Sequence, residues 1–165
     1  MKNIFFKLLA AVCGFLFLTA SLCTKVAVYG TDTRTDAVFK IYNADLYSSA
    51  DRVQKAIESL GYTVTRADDT TTRFTTAWSL VPPDSHYMNL FGRKDFSASQ
   101  GSYYQLVVEV TDLSPRMRVS VSTQVKSVSG KLTSANVLEN KVLARIDDFL
   151  RSPQIELTNV GVTNR

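Results

Sequence analysis

Cysteine is almost missing from this chain: its 165 residues hold two, Cys13 and Cys23, and none occurs from Thr24 to Arg165. A domain built from that stretch has no internal disulfide, no thiolate metal site and no cysteine nucleophile, so its core must hold it together. Histidine is scarcer still, with His86 alone. Most zinc sites draw on several His or Cys ligands, and one histidine among distant carboxylates points to no metal and no cofactor. His86 reads as a loop residue without a special role. Glycine is sparse, and Gly92-Arg93-Lys94 lacks both the second glycine and the strand-to-helix setting of a phosphate loop. Ser102 follows Gly101 without the rest of a Gly-x-Ser-x-Gly elbow. Asp68-Asp69 reads as a polar turn and Asp147-Asp148 as the wet side of a helix, not as acid–base pairs. No enzyme is expected.

Long apolar runs are equally rare, and the single one lies at the start. Lys2 and Lys7 lead into Leu8–Leu22, which carries no charge and is shorter than the ~20 residues of a comfortable membrane span. Residues 1–22 therefore read as a signal peptide, with the rest exported to the periplasm. Leu18-Thr19-Ala20-Ser21-Leu22-Cys23 resembles a lipobox, which makes Cys23 the expected lipidation site. Ordinary cleavage after Ser21 or after Cys23 is a second outcome, and an uncleaved anchor a third. With lipid on Cys23, Thr24 stands where an aspartate would favour inner-membrane retention, and the outer membrane is the expected address.

Excess charge is also lacking once the leader is set aside. The whole chain carries +4, but without Lys2 and Lys7 its 19 basic residues become 17 against 15 acidic ones, a net of +2. That balance gives no reason to expect nucleic acid as a partner. Aromatic residues make up 10% of the chain, enough to argue against wholesale disorder, and the remaining length fits one domain with a real core.

Residues 23–36 show no apolar period and read as a tether, which leaves 37–165 as a single domain. Ala37–Tyr42 alternates like a strand. Ser48 or Ser49 is placed to cap a helix whose Val53, Ala56, Ile57 and Leu60 form one apolar stripe, with Gly61 as its left-handed stop. Tyr62–Thr65 and Arg73–Leu80 read as two strands of a hairpin, the latter with Phe74, Thr76, Trp78 and Leu80 on one face. Order fades from Val81 to Ser102 and returns at Tyr103–Thr111.

The clearest strand follows. Met117, Val119, Val121, Thr123 and Val125 face one way, and Arg116, Arg118, Ser120, Ser122, Gln124 and Lys126 the other. Such alternation predicts an antiparallel sheet with one dry and one wet face. Ser134 is placed to cap a second helix with Leu138, Val142, Ile146 and Phe149 on its core stripe, ended by Pro153. Ile155–Val160 reads as a short last strand. The fold class is α+β: a two-layer sandwich, an antiparallel sheet of about five strands with two helices on one face.

Two surfaces stand out for binding. The first is Pro82–Gly101, a long loop with Tyr87, Phe91, Arg93 and Phe96 as partner-binding candidates. The second is the wet sheet face with Arg73, Thr75, Arg116, Arg118, Ser120, Ser122, Gln124 and Lys126, where simple solvation is the ordinary reading.

Val53–Leu60 followed by Gly61-Tyr62, and then Thr75-Thr76-Ala77-Trp78, resembles the helix-grip domains of the BamC (NlpB) family of envelope lipoproteins. The likeness covers about Ala37–Arg151, with Arg93 and the strands at Tyr103–Val110 and Arg116–Val128 where that outline places them. This chain has room for one such domain, where the family carries two. The resemblance implies a non-enzymatic lipoprotein that binds an envelope protein in outer-membrane assembly or maintenance. The alternative is a periplasmic domain with an apolar cleft for a small ligand or lipid.

Overall fold

The alternation in Arg116–Ser127 produces the longest strand among the described residues, which pairs along its length with the middle strand of the sheet. In a computed structural model, which describes residues 28–66 and 72–151, the elements run β1 (Thr31–Arg34), β2 (Val38–Tyr42), α1 (Leu46–Glu58), β3 (Val64–Arg66), β4 (Arg73–Thr76), β5 (Ser79–Leu80), β6 (His86–Leu90) and β7 (Arg93–Asp95). A short 3-10 turn over Ser97–Ser99 leads to β8 (Tyr103–Leu113), β9 (Arg116–Ser127), β10 (Thr133–Ser134) and α2 (Val137–Arg151). The leader, Cys23 and the expected strand at Ile155–Val160 lie outside the described residues.

The protein is α+β with an antiparallel sheet of seven strands among the described residues, rather than about five. The order is β1-β9-β8-β4-β3, with β2 also on β9 and β5 also on β8; a separate three-stranded sheet runs β10-β6-β7. Met117, Val119, Val121 and Val125 of β9 are buried with Leu106, Val108 and Val110 of β8, Phe74 of β4, Val53, Ala56 and Ile57 of α1, and Leu138, Val142, Leu143 and Ile146 of α2. A period of two on the strands and of 3.6 on the helices thus meets in one core.

Helix α1 begins earlier than the serines suggest. Asp45 is its N-cap, and its carboxylate accepts the Ser48 N–H at 3.1 Å. Gly61, at φ +88°, follows the helix as expected. Asp45→Ala should cost about 1 kcal/mol, read from the midpoint of urea unfolding, while Ser49→Ala should not reproduce that capping loss. Ser134 does not sit at the N-terminus of α2. Its hydroxyl accepts the Asn136 N–H at 2.9 Å, and the helix starts at Val137.

Two one-residue bulges explain what the periodicity did not predict. Thr75 pairs with Val107, and Ser79 with Tyr104, so four residues on one side span three on the other. An extra residue reverses which face each later side chain takes. Phe74 and Thr76 are therefore buried as expected, but Leu80 is 63% exposed and Trp78 lies under the Lys126 ammonium instead of in the core. Thr76 mends the ladder: its Oγ1 accepts the Leu106 N–H at 3.0 Å.

The second bulge lies between Arg34 and Val38, which pair with Gln124 and Val121. There Thr35 Oγ1 accepts the Thr123 N–H at 3.0 Å. Leu106 and Thr123 are direct partners, so both bulges fall on one line across the sheet. Bulges bend strands and sharpen their twist.

The stretch read as tether is thus partly structural, since Thr31–Arg34 adds a strand to β9. A Cβ on Gly30, at φ +132°, would stand 2.6 Å from the Ser127 carbonyl carbon, so only glycine lets the chain lie against β9 there. Arg34 donates from Nε to Ser122 Oγ at 3.2 Å and pairs with Glu109 at 3.1 Å. Ser122 is buried as a result, which corrects its reading as part of a uniformly wet face.

Candidate functional site

Pro82–Gly101 is not a structureless loop. His86–Leu90 and Arg93–Asp95 form a β-hairpin with Leu90 opposite Arg93, so Phe91 and Gly92 make a two-residue turn. Both have positive φ, +49° and +77°, the requirement of a tight hairpin turn whose twist matches its strands. Glycine adopts that conformation freely, whereas an aromatic residue does so at a cost.

The four partner-binding candidates separate here. Tyr87 and Phe96 face each other edge-on with ring centroids 5.7 Å apart, half-buried toward the hairpin's base. Lys94 holds its ammonium 4.9 Å from the Tyr87 ring. These two aromatics brace the hairpin. Phe91 and Arg93 remain at the tip, with the Phe91 ring fully exposed, Leu90 beside it 40% exposed, and Arg93 in water. The nearby acid, Asp95, is occupied in accepting the Ser97 N–H at 3.0 Å and its hydroxyl at 2.6 Å. The tip therefore presents two apolar side chains flanked by the cations Arg93 and Lys94.

The base of the hairpin holds what the sequence reading missed. His86 is fully buried, not a loop residue without a role. Its Nε2 lies 2.8 Å from Thr123 Oγ1 and its Nδ1 3.1 Å from Ser85 Oγ. Thr123 Oγ1 donates to Glu139 Oε1 at 3.1 Å, and Thr35 Oγ1 lies 2.8 Å away on the remaining side. Ser85, Thr123 and Glu139 are as buried as the imidazole. With Nε2 protonated, the imidazole donates to Thr123, and the threonine keeps its own proton for Glu139. Burial pulls the His86 pKa from the ordinary 6.5 down to about 4, so the ring is neutral at pH 7.

Serine, histidine and a carboxylate in one cluster suggest nucleophilic chemistry, but the order is wrong for it. Ser85 has one hydroxyl proton for two acceptors, the unprotonated Nδ1 and Pro82 O at 2.7 Å, and Glu139 reaches the imidazole only through Thr123. All of them are sealed from solvent. What the cluster does is tie β6 to β9 and α2, while Ala135 N–H donates to Ser85 O at 2.8 Å and Thr133–Ser134 pairs with β6. The hairpin is thereby rooted in the core.

Two sequence signals pointed here. Thr123 interrupts a row of valines and methionine on the dry face, and Glu139 shares the helix stripe with Val142, Leu143 and Ile146. A hydroxyl and a carboxylate on buried faces need partners.

Among the described residues no group of three or more His, Cys, Asp or Glu is placed to hold a metal ion, and no helix is long and apolar enough to cross a membrane. An open depression of about 300 Å³, lined by Val81, Pro83, Asp84, Phe96 and Gln100 among others, lies beside the hairpin. No protein-family model matches this chain, and no curated protein matches it either.

Proposed function

We propose that this is a non-enzymatic cell-envelope protein that works by contact, an exported interaction module docking through the tip of the β6–β7 hairpin. The role it suits is outer-membrane assembly or maintenance, with the N-terminal segment, lipidated at Cys23, keeping the domain near a membrane. Tethering raises the effective concentration of the domain at that surface and lets a weak contact suffice. The layering we assign is a two-layer sandwich of helix-grip type with α1 and α2 on one side. A core shared by both helices and by the inward residues of β8 and β9 supports it.

One observation carries the functional reading: Phe91 holds a fully exposed ring on left-handed backbone. Backbone strain and an apolar ring in water both burden the free domain, and neither is returned by packing within it. Strained, exposed residues of this kind concentrate where a partner binds. Tyr47, 85% exposed but on the regular helix α1, is the natural comparison.

A photo-crosslinking amino acid at position 91 should give adducts with an envelope component in intact cells, and the same residue at position 47 should give few. Equal yields at the two positions would remove the hairpin tip as the docking element.

A further inference from the structure

Resting on that docking role, we infer that the hairpin tip binds the surface of a membrane rich in anionic lipid, with Phe91 and Leu90 entering the interface and Arg93 and Lys94 on the headgroups. Three observations converge on this occupant.

The first is the form of the tip. A two-residue turn with its apolar side chains outward is a convex wedge, suited to entering a soft, flat surface. Aromatic and leucine side chains settle at the boundary of headgroups and acyl chains, where the apolar ring is buried while the backbone stays wet.

The second is charge. Arg93 and Lys94 follow the wedge directly, and both are exposed. Lys131 is exposed two residues before Thr133, the antiparallel partner of Tyr87, so it lies toward the tip end on the β10 edge of β6, across from the edge that carries Arg93 and Lys94. The one acid of the hairpin, Asp95, keeps its charge while accepting from Ser97, so Arg93, Lys94 and Asp95 together leave the hairpin net positive. Basic residues beside an anionic surface each strengthen attachment about fivefold.

The third is where the chain arrives. Gly30 lies against the backbone of Ser127, and three residues further on a Cβ at Gly130 would meet the Met88 Cε of β6 at 3.8 Å. The N-terminal approach therefore reaches the domain next to the base of the hairpin. Val28 follows Cys23 by five residues, a span of at most about 18 Å. A lipid on Cys23 would hold this end of the domain at a bilayer, and the wedge would be a second, weaker contact. Durable attachment of proteins to membranes commonly needs two such signals.

The test places an indole at the wedge. Phe91→Trp in the full chain, reconstituted into vesicles, is compared with the parent chain so that the signal of Trp78 is subtracted. In phosphatidylcholine vesicles containing about 30% phosphatidylglycerol, emission from the introduced indole should shift to the blue and be quenched by bromine-labelled acyl chains. Tyr47→Trp should show neither effect. Arg93→Gln with Lys94→Gln added to Phe91→Trp should weaken the quenching, as should pure phosphatidylcholine. Emission from the wedge indole that stays water-like in anionic vesicles would overturn the inference. So would quenching that survives unchanged without anionic lipid or without the two cations. If position 91 still crosslinks in cells while an indole there stays in water, the partner is a protein, and only the lipid assignment falls. If both signals are missing, the docking role falls with it.

Discussion

Thr123→Val should lower the unfolding free energy by about 3 kcal/mol, although the two side chains are nearly the same shape. The reason is the arrangement around one oxygen. Thr123 Oγ1 meets His86 Nε2, Glu139 Oε1 and Thr35 Oγ1, all within 3.1 Å. A methyl group in its place leaves a buried imidazole N–H and a buried carboxylate without a partner. Glu139 Oε2 already lacks a protein partner among the described residues, so the carboxylate would lose its only hydrogen bond there. Each orphaned buried polar group costs about 1–3 kcal/mol. Thr123→Ser keeps the hydroxyl and should lose only about 1 kcal/mol for the missing methyl. Urea unfolding of the three proteins decides the matter, and a valine variant within about 1 kcal/mol of the parent would show that the network contributes little. Because the same oxygen roots β6, the valine variant should also speed hydrogen exchange in the β6–β7 hairpin.

Acid should weaken the fold well before ordinary carboxylates titrate. Burial holds the folded-state pKa of His86 at about 4, while the unfolded chain has the ordinary 6.5. The unfolded state thus binds the proton more tightly. Stability from this residue is complete above about pH 6.5 and is lost as the pH falls toward 4. Between pH 7 and pH 5 the loss should be about 2 kcal/mol, an average slope of about 1 kcal/mol per pH unit that steepens toward the acid end of the range. His86 is the sole histidine, so no other side chain with an ordinary pKa near 6.5 competes for the effect. His86→Gln, whose amide can still donate to Thr123, should flatten the dependence even if it lowers stability throughout. A parent protein equally stable at pH 7 and pH 5 would refute the assignment, as would an unchanged slope in His86→Gln. Acid would act at the root of the hairpin, so any pH sensitivity of docking should follow the same window.

How much of this was legible follows from range. β9 was readable because its alternation is local, and α1 because Val53, Ala56 and Ile57 recur at helical spacing and Gly61 ends the run. β1 was not readable, since Thr31–Arg34 has no apolar residue and becomes a strand only by pairing with β9. The hairpin escaped for a related reason. Phe91-Gly92 lacks the asparagine or aspartate that marks such turns, and Tyr87 and Phe96 support each other from nine positions apart. Of the four partner-binding candidates, read from the sequence as one loop group, Phe91 and Arg93 are exposed and Tyr87 and Phe96 half-buried. The division of labour between the exposed pair and the bracing pair required the register of β6 on β7.

Composition and local periodicity, by themselves, determined that this chain makes amphipathic helices and a one-sided antiparallel sheet without disulfides, because those patterns act between neighbours in sequence. Only the tertiary structure decided that the two bulges meet at Leu106 and Thr123, that Leu80 turns outward, and that the lone imidazole is buried against a threonine that donates in turn to a glutamate. Those outcomes depend on pairing across 16 to 88 positions, and hydrogen-bond demand at such range leaves no periodic trace in the chain.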